Sequence, residues 1–164
     1  MELFIYAYIS GLVGSIFMDI TESYMAKKGI SSGVTLEDIG RWFLAMTKGK
    51  FIHKEIKALS PMKHEIMAGK VFHYILAGGG IALLYPLFLM LFNIPIETNH
   101  LFYGMIFGFL TNIFPWLWMM PSFGWGVAGL RRSPNANTIL APTLSHVVYG
   151  LGLGLSMNLF YTFF

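Results

Sequence analysis

The sequence predicts an all-α integral membrane protein, a bundle of four spanning helices. Three observations carry that class: too little charge for a water-exposed surface, long apolar runs, and basic residues confined to alternate loops. The 164 residues are 55% hydrophobic and only 12% charged, with a mean hydropathy of +0.62. A soluble domain carries roughly 25% charged residues. Intrinsic disorder is excluded on the same ground. The chain has no cysteine, so disulfides, thiol nucleophiles, zinc ribbons and iron–sulfur clusters are excluded too.

A helix needs about 20 apolar residues to cross a bilayer. Four runs qualify, at about 3–25, 67–92, 101–120 and 139–163. They lack the alternation of a transmembrane β-strand, so they are read as helices. The first run has no basic flank before it and no small-residue cleavage site before Lys27. It is expected to be a retained helix rather than a signal peptide. The whole chain forms a single membrane domain.

Of the 11 Lys and Arg, nine lie between spans one and two, from Lys27 to Lys70. Arg131 and Arg132 lie between spans three and four. The positive-inside rule puts both basic loops in the cytoplasm and both termini outside. The +3 net charge and pI near 9.2 reflect topology and attraction to anionic lipid. Charge spread along a membrane-side loop does not point to nucleic acid.

Residues 26–66 form the sizeable cytoplasmic segment. Thr35 with Asp38 is a capping box. Leu36, Ile39, Phe43 and Met46 follow at helical spacing, with Trp42 beside them. The expectation is a short amphipathic helix in the interface, with Trp42 at headgroup level. Gly49 ends it, Phe51-Ile52-His53 opens a second short piece, and Ser60-Pro61 reads as the start of the next helix.

Leu101–Trp116 aligns with Phe4–Asp19 without a gap. Tyr103 falls on Tyr6, Gly108 on Gly11, Asn112 on Ser15, and Trp116 on Asp19. Spans two and four align on His73 and His146, each followed by tyrosine and glycines. One reading is a two-plus-two parallel repeat about an axis normal to the membrane, as in some transporters. The alternative is that aromatic, glycine-rich helices resemble each other by composition.

Ionisable groups at membrane depth cost about 2.5–3.5 kcal/mol each, which makes them functional candidates. Asp19 and Glu22, three residues apart, share a face of span one. His73 lies near the inner end of span two. His146 belongs to a four-residue-step stripe of Pro142, His146, Gly150, Gly154 and Asn158. Asn112 lies about two turns from the inner end of span three. On the repeat reading the two histidines face each other and Asp19 has no acidic mate. Asp19, Glu22, His73, His146 and Asn112 suit a substrate or proton relay, since histidine beside a carboxylate titrates near neutrality. His73, His146, Asp19 and Glu22 also have the chemistry to bind a divalent transition metal. The two histidines alone have the chemistry to ligate a haem, a weaker expectation. A purely structural network is the remaining reading. His53 and His64 are expected in water, with His53 folding back beneath the site, and His100 in the outer loop. Pro115 is expected to free the carbonyl of Thr111. The Trp-rich stretch after it reads as an aromatic belt or the floor of a pocket. The 11 methionines show no metal-binding spacing and read as packing.

Met18-Asp19, Gly40-Arg41-Trp42, Gly49-Lys50-Phe51-Ile52-His53, Glu65, His73-Tyr74, the Pro121–Gly126 turn, Ser133-Pro134-Asn135 and His146 with Gly150 occur in that order. In this the chain resembles the bacterial membrane proteins grouped as domain of unknown function 2938. The resemblance covers most of the chain and implies a small multi-span inner-membrane protein. It adds Arg41, His53, Glu65 and Tyr74 as secondary site candidates and leaves activity open.

Three functions remain: a proton- or cation-coupled transporter of a small molecule or ion, a membrane-embedded metal or haem oxidoreductase or hydrolase, and an accessory scaffold. Repeat and polar depth favour the first. No complete catalytic set favours the second. Four helices make a narrow path, so a homodimer in the lipid bilayer is expected.

Overall fold

The computed structural model describes residues 2–133 and 135–163. Pro134 of the Ser133-Pro134-Asn135 motif lies outside them. Among the described residues every regular element is helical. The principal helices are α1 (Glu2–Ala26), α2 (Leu36–Met46), α3 (Glu65–Leu91), α4 (His100–Ser122) and α5 (Ala136–Phe163). Four of them, α1, α3, α4 and α5, are long and apolar enough to cross a membrane. Their ends lie within three residues of the expected spans.

Each spanning helix separates a smooth face from an oily one. On α1, Ala7, Ser10, Gly11, Gly14, Ser15 and Met18 are buried, whereas Ile5, Ile9, Ile16 and Ile20 are exposed. An apolar outer face is what lipid solvates, and small inner residues let helix backbones approach. A close seam joins α4 to α5. A Cβ on Gly108 would overlap His146 O, and one on Gly104 would overlap Gly150 O. The stripe of Gly150 and Gly154 therefore faces α4. Asn158, at its end, accepts the His100 N–H at 2.8 Å and so caps α4.

The seam between α1 and α5 is closed along its length, with Gly14 and Gly152 against each other. Its counterpart under the expected repeat is the pair α3 and α4. Those helices meet near the terminal side only, through Tyr85, Phe88 and Phe107. The bundle is thus closed on one side and parted on the other. One core of Ala7, Tyr85, Leu89, Tyr149 and Leu153 fills the closed region.

A second core forms on the basic-loop side from Ile39, Trp42, Ile56, Met120, Phe123 and Trp125. The Thr35–Asp38 capping box is present and starts α2. Trp42 corrects the sequence expectation. It is wholly buried, with its ring against Phe72, Trp118 and Phe123. Its indole N–H donates to Phe51 O at 3.1 Å. The apolar face of α2 is covered by the end of α4 and the chain after Gly49, which leaves this ring no contact with headgroups. That chain is tied under α4: His53 N–H donates to Ser122 O at 2.8 Å and Ile56 N–H to Phe123 O at 3.0 Å.

Two further expectations are corrected. Helix α3 starts at Glu65, after His64 in a left-handed conformation, rather than at Pro61. The Glu65 carboxylate accepts the Met62 N–H at 2.7 Å, so Glu65 rather than Ser60 organises the entrance. His100 is fully buried, not in an exposed loop. Its ring lies 3.0 Å from the Tyr85 hydroxyl and stacks on Tyr161.

Candidate functional site

Where α3 and α4 part, a cavity of about 640 Å³ opens. It is bounded by α1, α3 and α5, by the Pro115–Met120 stretch of α4, and by α2 beneath. Most of its wall is apolar, with polar groups gathered on the side of α1 and α5. The Trp-rich stretch is therefore a pocket floor: Phe114, Pro115 and Trp118 line it. Pro115 does not leave the Thr111 carbonyl open, because Phe114 N–H donates to it at 3.1 Å.

Asp19 is the centre of the polar side. His73 Nε2 lies 2.9 Å from its Oδ1. The Tyr74 hydroxyl donates to its Oδ2. Consecutive residues on an α-helix diverge too far to converge easily on one small carboxylate. Here Val71–Gly80 is wound as a π-helix. The i→i+5 pattern puts more residues in each turn and narrows the angle between neighbours, a local feature often found at functional sites. The winding explains how His73 and Tyr74 both reach Asp19. The Asp19 side chain remains 35% exposed, and Asp19 and His73 both line the cavity.

The other polar groups carry their own supports. Ser145 Oγ lies 3.1 Å from Glu22 Oε1 and 2.8 Å from Ala141 O. Thr111 Oγ1 donates to Gly108 O at 2.6 Å and lies 2.7 Å from His146 Nδ1. The direction of that second contact follows the histidine tautomer. Thr111 is held as a support, not primed as a nucleophile. The Tyr149 hydroxyl donates to Gly78 O at 2.7 Å and ties α5 to the π-helical stretch.

Asp19, Glu22, His73 and His146 thus line one cavity. Asn112 does not. It is buried beside the cavity, with its amide donating to Phe109 O at 2.8 Å. Arg41 and Glu65 form a separate lock below the site. Arg41 Nε and Nη2 donate to Glu65 Oε2 and Oε1 at 2.8 and 3.0 Å. This pair fixes α2 against the start of α3, where Gly40 and Gly69 bring the backbones together. His53 is partly buried at the second core and lines no part of the cavity. Tyr74 reaches the site through Asp19. Thr111, Ser145, Tyr149 and Trp42 support or line the site without having been singled out as site candidates from sequence.

Among the described residues no three of His, Asp and Glu converge to hold a metal ion. His73 Nε2 is committed to Asp19 and His146 Nδ1 to Thr111.

Comparison with known proteins gives one result. A family model described as "Protein of unknown function (DUF2938)" matches residues 8–159. No curated protein matches, and no solved structure matches.

Proposed function

We propose that this chain, which belongs to the domain of unknown function 2938 family, binds a small molecule in the cavity and carries it across the membrane with proton coupling. The observation that carries the reading is the cavity of about 640 Å³ into which Asp19, Glu22, His73 and His146 open at the depth of four apolar helices. Pockets of this size take drug-sized ligands. An ionisable group at that depth is retained for a purpose such as a substrate pathway or proton relay.

The coupling follows from the hydrogen bonds. Asp19 accepts from two neighbours, an imidazole and a phenol. A ligand that takes over one carboxylate oxygen removes one of those contacts. Occupancy of the cavity thereby reaches the hydrogen bond between His73 and Asp19. His146 offers a second imidazole to the same cavity. We place the basic loops in the cytoplasm of a bacterial inner membrane and both termini outside. A dimer would extend the path that one narrow bundle offers.

The test uses sealed liposomes containing the protein, an imposed pH gradient and a lumenal pH dye. A panel of amphipathic organic compounds is added, spanning cationic, neutral and anionic types. At least one member should collapse the gradient faster than in empty liposomes, and Asp19→Asn should abolish the difference. If no member does so with folded wild-type protein, the transport reading is wrong.

A further inference from the structure

The cavity also carries information about what it takes. The acidic and basic groups facing it are Asp19 and Glu22 from α1, His73 from α3 and His146 from α5; α2 and α4 contribute none. No lysine or arginine lines it, although 11 are present in the chain. Two carboxylates without a fixed cation leave a site whose field favours positive charge. Away from the acids the wall is aromatic: Trp42 packs edge-on to Phe72 and Trp118 at ring separations of 5.2 and 5.1 Å, and Phe114 stands beside them in the lining. Aromatic faces add to the attraction for a cation.

The shape adds a second constraint. Leu76 on α3 and Trp118 on α4 both line the cavity and are 45% and 49% exposed. They stand on either bank of the gap between those helices. In a bilayer that gap faces acyl chains rather than water. A ligand in the cavity therefore meets hydrocarbon on one side and carboxylates on the other.

We propose that the occupant is an amphipathic organic cation, seated with its charge beside Asp19 and Glu22 and its apolar body between α3 and α4. The proposal rests on the ligand cavity proposed above and assigns its substrate class. It does not require a metal or a cofactor.

The experiment uses full-length protein in lipid nanodiscs, with empty nanodiscs as background. Three probes are measured separately by equilibrium dialysis: tetraphenylphosphonium, the isosteric anion tetraphenylborate, and tetramethylammonium, which has charge without an apolar body. Tetraphenylphosphonium should bind saturably and at least about tenfold more tightly than the other two, a difference of about 1.4 kcal/mol. Asp19→Asn should weaken it about tenfold. Because that variant disturbs the Asp19–His73–Tyr74 contacts, Glu22→Gln serves as the second variant, and it should also weaken binding.

Tetraphenylborate binding as tightly as the phosphonium would overturn the cation assignment and leave the ligand cavity standing. Equal binding of tetramethylammonium would overturn the amphipathic assignment. Phosphonium binding that neither variant weakens would remove the carboxylates from the site. Saturable binding of none of the three would count against the ligand cavity itself.

Discussion

Asp19 depends on two neighbours contributed by consecutive positions, His73 and Tyr74. Hydrogen bonds to a charged group contribute about 1.5–3 kcal/mol. Tyr74→Phe should therefore lower unfolding stability in detergent by about 1–2 kcal/mol while leaving His73 in place. Glu55 gives a pH signature outside the spans. Burial pushes its carboxyl up, but the Trp125 indole N–H at 2.8 Å, the Lys57 backbone N–H and the charges of Arg132 and Lys57 outweigh that and hold it below the usual range. A carboxyl lowered on folding stabilises above its unfolded pKa, and the contribution is lost as pH falls through the lowered folded value. Glu55→Gln should flatten the acid side of a stability–pH curve and leave the neutral side lower. Asp19, Glu22, His73 and His146 were legible from charge at membrane depth. Thr111 and Ser145 were not, because a helical hydroxyl usually bonds its own preceding turn, and a partner 35 or 123 residues away leaves no local pattern.

At the scale of elements, the helices were legible because apolar length alone defines a span. Their faces were less so. Trp42 looked interfacial because tryptophan marks both interfaces and buried cores, and only the covering chain from Phe51 to Ile56 decides between them. Trp42→Ala should cost about 3–5 kcal/mol and open the basic-loop side of the cavity. The glycines separate in the same way. Gly108→Leu forces a side chain into the His146 backbone. Overpacking of this kind costs about 1–3 kcal/mol or more, and this variant should lose folded yield in detergent. Gly80→Ala meets only Ile75 O, at an ordinary 3.6 Å, and should be within about 0.5 kcal/mol of wild type. Thermal unfolding of the two variants side by side checks the contrast.

The whole molecule is organised by an asymmetry that the repeat did not foretell. Each histidine bonds a residue on the preceding spanning helix: His73 to Asp19 on α1, and His146 to Thr111 on α4. The partners are not equivalent positions of the aligned halves, since Thr111 falls on Gly14 and Trp116 on Asp19. The helix pairs then diverge, because small residues close α1 on α5 and nothing comparable closes α3 on α4. The cavity occupies the unclosed side. Orientation can be tested cleanly, since the chain has no cysteine of its own. Lys48→Cys should react with an impermeant thiol reagent only after cells are opened, and Glu97→Cys should react in intact cells. The most direct measurement is the number of protons released when tetraphenylphosphonium saturates the protein in weakly buffered nanodiscs near neutral pH. About one proton per bound cation is the release that coupling through the Asp19–His73 hydrogen bond predicts. The release should disappear in His73→Gln. Saturable binding with no proton released from wild type would contradict a coupled site built on Asp19 and His73.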